Sequence, residues 1–351
     1  MSRLRRADCS GPGIRRVKRG RGFSYVDADG QPVDESEVLA RIGELVIPPA
    51  WKEVWICPYP MGHIQATGVD AAGRKQYLYH PKWRERRDRQ KFDDMIDFAR
   101  DLPALRRSTA EILAAGDDLS RERVLACALR LLDHGFFRIG SEDYAVTNET
   151  YGLATMRKEH VSLERGDTMV FDYTAKSGKR RVQGLVDPLS FEVVAKLKRR
   201  RSGGDELLAY RENGGWRDVR SPDINAYLKE LTGGDHSAKD FRTWSATLLA
   251  AVALGVSGEV AGTKTGRKRA VTRAVKEVSH YLGNTPAVCR ASYIDPRVID
   301  AYEGGVIVGP EAIASEQRDD VLPIHQRAVE RAVLRMLDGH GAGAGLTRVA
   351  A

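Results

Sequence analysis

The chain has 351 residues, with 56 Lys and Arg against 48 Asp and Glu, a net charge of +8 and a pI near 9.3. That length exceeds one ordinary domain and suits two, and an apolar fraction of 42% excludes a disordered chain. The excess of base favours an anionic partner, of which nucleic acid is the commonest large one in a cell.

In chain order, Arg3, Arg5, Arg6, Arg15, Arg16, Lys18, Arg19 and Arg21 crowd the start, opposed only by Asp8. Residues 22–80 predict strands and turns around one short helix. GFSYVDADGQPV alternates and then turns at Asp29-Gly30. DESEVLARIGEL is the helix; VWICPY, GHIQATGVD and RKQYLYH are strands. A second basic cluster, Lys82 to Lys91, follows. From there the pattern is helical. Ser120 can cap RERVLACALRLLDH, with Gly135 as its stop. HVSLER, TMVFDYT and RRVQGLV predict a three-stranded meander, with the tip AKSGK between its last two strands. Apolar stripes at Ile224–Leu231, at Phe241, Trp244 and Leu248 (stop at Gly255), and at Val271–Leu282 (stop at Gly283) predict core helices. Further basic runs lie at Lys196–Arg201 and Lys264–Arg269; any one is a solvated face by default, but several in both halves suit a protein that surrounds a polyanion. The Gly/Ala-rich tail from about 338 is expected to fray.

Several chemistries lack their residues. Cys9, Cys57, Cys127 and Cys289 form no zinc spacing and are expected to be reduced. The eight histidines form no HExxH, and Gly178-Lys179 is followed by Arg180, not by Ser or Thr as a phosphate loop needs. Neither metal, cofactor nor nucleotide is expected. The N-terminus lacks a secretory core and no apolar run approaches a membrane span, so a soluble, cytoplasmic chain with no membrane partner is expected.

A phosphodiester can be cut without metal when protein cations take its place. Arginine forks fit the non-bridging oxygens, a side-chain nucleophile conserves the bond energy, and the leaving sugar hydroxyl needs a proton donor. Two arginines, a lysine or histidine, and a tyrosine on separate elements would suffice. Each alone has an ordinary structural explanation: an ion-pair arginine, a core tyrosine, a turn lysine.

Five motifs in order supply that set: GRKQYLYH, FFRIGSEDYAVTNETYGLATM, AKSGK, KDFRTW and HYLGNTPAVCRASYID. In these the chain resembles the type IB topoisomerases, in particular their short poxvirus-like branch, over roughly residues 20–310. The resemblance implies that Arg138 and Arg242 are the catalytic arginines, Lys176 the general acid and Tyr293 the nucleophile. Nine residues before the tyrosine, where one branch has His, stands Asn284. Its amide can donate to a phosphate oxygen but cannot shuttle a proton, so its implied role is electrostatic positioning. Gln76, Tyr77 and Tyr79 match DNA contacts from the β-rich region; Tyr77 and Tyr79 share a strand face unless they simply fill its core. Tyr144 and Lys239 match contacts near the scissile phosphate.

The implied fold is α+β, a two-lobed DNA clamp. A small antiparallel β-rich DNA-binding domain over 1–88 precedes a mainly helical catalytic domain over 89–351 that carries the small sheet. The implied partner is double-stranded DNA, bound by a nucleoid-associated monomer. A tyrosine site-specific recombinase shares the chemistry, but usually has a helical N-terminal domain. A non-catalytic DNA-binding protein would not need the Arg, Lys, Arg, Tyr set.

Overall fold

The computed structural model describes residues 3–258, 263–314 and 327–349, without the side chains of 143 and 144. The chain is α+β and divides into two compact units, Met1–Phe92 and Asp93–Ala351. No helix among the described residues is long and apolar enough to cross a membrane.

The first unit is a five-stranded antiparallel sheet, ordered β2-β1-β3-β4-β5. Its elements are β1 (Ile14–Arg19), β2 (Gly22–Val26), α1 (Ser36–Glu44), β3 (Lys52–Ile56), β4 (Ile64–Val69) and β5 (Lys75–Tyr79). Ile14, Val33, Ile42, Val54, Ile56 and Ala66 form its core. The Arg-rich start was not read as a strand, yet β1 lies inside the sheet. Arg16 is tolerated there because its guanidinium donates to the carbonyls of Ile47, Pro48 and Trp51, at 3.3, 3.2 and 2.6 Å.

Helix α2 (Pro81–Ala114) contains the boundary between the units. The second unit continues with α3 (Arg121–Gly135), α4 (Glu142–Asn148) and the meander β6 (Val161–Glu164), β7 (Thr168–Ala175), β8 (Lys179–Val186). Then come α5 (Pro188–Arg199), β9 (Ala209–Glu212), β10 (Gly215–Asp218), α6 (Ser221–Thr232), α7 (Ala238–Gly258) and α8 (Lys264–Leu282). The last elements are α9 (Pro286–Ser292), α10 (Pro296–Glu303), β11 (Val306–Val308), α11 (Pro310–Ala314), α12 (Arg327–Leu337) and β12 (Leu346–Arg348). Helix α7 is central: it packs against α3, α6, α8, α10 and α12 and buries Phe241, Trp244 and Leu248.

Several local expectations are corrected. Ser120 occupies the N-cap position of α3, but its hydroxyl bonds Asp118 and caps nothing. Gly255 does not stop α7; a Cβ there would lie 2.8 Å from the Val308 carbonyl oxygen, so the glycine lets β11 approach the helix. A hairpin beyond the predicted elements, β9–β10, turns at Asn213-Gly214. The tail does not fray throughout: β12 pairs with β11 and buries Leu346. The meander has the expected order β6-β7-β8, and Ala175↔Lys179 closes its tip.

Candidate active site

Helix α3 ends in a strained turn. Gly135 is its last helical residue and is needed for space: a Cβ would lie 2.1 Å from the Phe137 ring. The left-handed residue is Phe136 (φ 54°, ψ 21°), a conformation that costs a non-glycine residue about 1–3 kcal/mol. The turn buries Phe137 against Phe171 and Tyr173, with ring centroids at 4.7 and 6.3 Å, and brings Arg138 half out of the core. The backbone then crosses that of residues 152–154. Arg138 and Ile139 carbonyls accept from Leu153 and Ala154 amides at 2.8 and 2.7 Å. A Cβ on Gly152 would lie 2.4 Å from the Gly140 nitrogen and 2.7 Å from the Arg138 oxygen. This crossing is why RIGSEDY and YGLATM occur together: one motif fixes the backbone of the other.

The end of α8 faces this turn. A helix C-terminus presents unpaired carbonyls and the negative pole of the helix dipole. Three arginines occupy consecutive ones. Arg181 donates to the Tyr281 oxygen at 2.5 Å, Arg242 to Leu282 at 2.9 Å and Arg138 to Gly283 at 3.1 Å. Arg242 also donates to the Phe136 carbonyl, and Arg138 to the Asn284 side-chain oxygen. Arg242 is buried, and its Nε has no partner. Burial, with Arg138 adding to it and Tyr293 opposing, lowers its pKa to about 10.

Tyr293 follows α9. Its carbonyl accepts from the Thr247 hydroxyl of α7 at 3.3 Å, and the Arg242 guanidinium carbon lies 5.4 Å from its ring centre. Burial alone would raise the phenol; Arg242, Arg138 and Lys239 outweigh it, and the pKa falls below the ordinary tyrosine value. Nδ2 of Asn284 is buried, and Asn284 opposes the rise that burial gives the Cys289 thiol pKa.

One cleft is lined by Arg138, Lys176, Lys239, Arg242 and Tyr293 together with Gly140, Thr150 and Tyr151. Asn284 lines the adjoining groove, as do Arg181, Gln183 and Lys179. Lys176 is exposed at the meander tip and borders both spaces; Lys179 borders only the groove. The side chain of Tyr144 lies outside the described residues. Gln76, Tyr77 and Tyr79 belong to the first unit. There the two tyrosines are 41% and 39% exposed, with stacked rings 6.1 Å apart, so they do not fill the core; Leu78 between them faces it. Gln76 donates to Asp70 at 3.0 Å. Arg181 was missed by sequence reasoning; its only signal is that Arg181 and Gln183 alternate on one face of a strand.

Chemically, the cleft can hold an anion against a phenol oxygen with cations on several sides. Among the described residues no three His, Cys, Asp or Glu side chains come together to hold a metal ion.

Residues 80–304 match the family model of the eukaryotic DNA topoisomerase I catalytic core, and residues 22–70 that of the bacterial DNA topoisomerase IB N-terminal domain. DNA topoisomerase 1B of Acanthamoeba polyphaga mimivirus is 30% identical over 320 residues, covering 88% of this chain and 91% of the relative. DNA topoisomerase 1 of Daucus carota is 30% identical over 130 residues, 37% of this chain and 15% of that protein. The Schizosaccharomyces pombe DNA topoisomerase 1 is 32% identical over 131 residues, with the same coverage.

Proposed function

The chain belongs to the type IB DNA topoisomerases, and on that premise we propose that it relaxes supercoiled duplex DNA by cutting and resealing one strand through Tyr293. The observation that carries this reading is the convergence of Arg138, Lys176, Lys239 and Arg242 on the phenol in a single cleft.

The Tyr293 oxygen attacks the phosphorus, its proton passing to water, and the bond to the 5′ oxygen breaks. A 3′-phosphotyrosyl link and a 5′-hydroxyl result, with Lys176 supplying the leaving proton. Arg138 and Arg242 stabilise charge on the non-bridging oxygens. Asn284 seats Arg138 through its oxygen and so acts by electrostatic positioning. The duplex rotates about the intact strand, and the 5′-hydroxyl then reverses the attack. One phosphodiester is exchanged for another, so neither nucleotide nor metal is required. Lys239 and Tyr144 contact the scissile region. Tyr77, Tyr79 and Gln76 contact the duplex from the first unit, which serves as the DNA-binding domain of a monomer working on the nucleoid.

The test is incubation with supercoiled plasmid in EDTA without ATP. Stepwise relaxation is expected. Recombinant products dependent on paired sites would instead make the chain a recombinase, and retardation with no change of linking number would make it a binder.

A further inference from the structure

Arg242 spans two helix ends, joining the Phe136 carbonyl beyond α3 to the Leu282 carbonyl of α8. One residue earlier on each helix, a second connection runs beside it. Gln183 Nε2 donates to the Gly135 carbonyl at 2.6 Å, Arg181 Nε donates to Gln183 Oε1 at 2.6 Å, and Arg181 Nη2 donates to the Tyr281 carbonyl at 2.5 Å. Both residues lie on the half-buried face of β8. Arg180, on the opposite face, is turned away to Asp172 at 2.8 Å.

We propose that Arg181 and Gln183 are positioning residues for strand cleavage, a bridge that sets the spacing between the α3 and α8 ends and so places Arg138 and Arg242 around the phosphate. This rests on the reading of the Tyr293 cleft as the strand-cutting site. The physical argument is one of span. Arg138 lies three residues beyond Gly135, and the Gly283 and Asn284 oxygens that seat it lie just beyond Tyr281. Without the bridge, Arg242, the Arg138 bonds to Gly283 and Asn284, and the Phe136–Tyr281 ring contact would still join the two ends, but none of these contacts is anchored on β8. The bridge adds an anchor on the strand, one residue earlier on each helix, and fixes the spacing on which the seating of Arg138 depends. Because it stands on β8, it also ties the hairpin carrying Lys176 to the same frame: Arg181 pairs with Tyr173, close to the Ala175↔Lys179 pair that closes the tip. Neither residue needs to touch DNA for this.

The experiment is single-turnover cleavage of a duplex by the full chain, with unfolding midpoints measured in parallel. Wild type forming a covalent adduct and Tyr293→Phe forming none establishes the parent reading; no adduct from wild type would sink that reading whatever the variants do. Given the adduct, Arg181→Met and Gln183→Leu should each slow cleavage by about 10²-fold, the loss expected when reacting groups are misplaced by about an ångström. The double variant should be little slower than either, because the bridge acts as a unit. Arg181→Lys should stay slow, since an ammonium keeps the charge but cannot span both acceptors. Arg180→Ala, which removes the same charge from the other face, should cleave normally. The salt dependence of DNA binding should be unchanged by Arg181→Met. A fall of about one in that slope, with normal cleavage by Gln183→Leu, would make Arg181 a phosphate contact and overturn the bridge. Near-normal cleavage by both single variants would overturn it as well.

Discussion

Two sets of arginines in the second unit are held in opposite ways. Arg106 meets Asp133 at 2.7 Å and Glu330 at 2.8 Å, and Arg130 meets Asp187 at 2.6 Å; these guanidiniums are neutralised where they stand. Arg138, Arg181 and Arg242 are seated on backbone carbonyls and two side-chain amides, and among the described residues no carboxylate pairs with them. A carbonyl orients a guanidinium without cancelling its charge. The first set therefore joins elements, and the second keeps unspent charge in a fixed place. Unspent charge needs a reason to exist, since an unpaired buried cation is expensive. The end of α8 supplies a partial offset through its dipole, and a bound phosphate would complete it.

Tyr293→Phe should have the largest effect and separates chemistry from seating. It removes only a hydroxyl, so the arginines stay in place and DNA still binds while adduct formation and relaxation stop. A phosphotyrosine mapped elsewhere would break the assignment. The same pair of proteins tests the electrostatics. In a phenol titration without DNA, wild type should show one group ionising below the ordinary value of 10.0 that is absent from the variant. The sign for stability follows: a phenol depressed in the fold stabilises it progressively as pH rises through that depressed pKa, and the gain levels off near 10.0.

Lys176→Ala comes next, with a loss of about 10²–10⁴ for a missing general acid. Replacing the 5′-bridging oxygen by sulfur gives a leaving group that departs without a proton, because thiols have a pKa near 8.5, far below that of an alcohol. The defect should then nearly vanish. Lys179→Ala should show little of either effect, since Lys179 borders only the groove. An unchanged Lys176→Ala defect on the sulfur substrate would remove it as proton donor. Sulfur rescue of a severe Lys179→Ala defect would exchange the two roles.

The two arginine sets can then be compared directly. Arg242→Ala or Arg138→Ala should slow cleavage and religation together by about 10²–10³. Arg242→Ala should also lower stability, because it strands two buried carbonyls at about 1–3 kcal/mol each. Arg130→Ala should differ in rate alone: about 3–5 kcal/mol of stability lost by leaving Asp187 without its cation, with cleavage per folded molecule unchanged. Slow cleavage per folded molecule in Arg130→Ala, or normal cleavage in Arg242→Ala, would show that carbonyl seating and carboxylate pairing are not the distinct devices inferred from geometry.

The sequence carried the ordered set of Arg138, Lys176, Arg242 and Tyr293 because each sits in a motif with its own local constraint. FFRIG and YGLATM are constrained by a backbone crossing that only small residues allow. The meander was legible from its alternation, and so was the shared face of Tyr77 and Tyr79. What was not legible depended on distant oxygens. Arg16 in β1 reads only as part of a basic run and Arg181 in β8 only as a strand residue, because nothing in a linear chain reveals that a carbonyl 35 or 100 residues away receives the guanidinium. Gly135 ends α3 as its place in the sequence predicts and Gly255 does not end α7, yet each makes room for a neighbour: the Phe137 ring for one and β11 for the other. Local turn chemistry and tertiary clearance demand the same residue, and only the fold separates them.

The smallest effects should come from the first unit, where exposure replaces seating. Tyr77 and Tyr79 hold each other in a stacked pair on the open face of β5, and neither fills the core. Their hydroxyls are therefore free of folding duties, and the unfolding midpoint of Tyr77→Phe or Tyr79→Phe should match wild type. A phenol that donates to a phosphate makes a hydrogen bond to a charged group, worth about 1.5–3 kcal/mol, so each variant should bind duplex DNA about 10- to 100-fold more weakly. Once bound, it should cleave at the wild-type rate, because neither ring lines the Tyr293 cleft. Gln76→Ala should weaken binding less than either, since its amide nitrogen is already held by Asp70. If the Phe variants bind as tightly as wild type, the exposed face of β5 is not the duplex contact. If they bind normally but cleave slowly, these tyrosines act on the chemistry itself, and the division between a seated reaction centre and an exposed binding face fails.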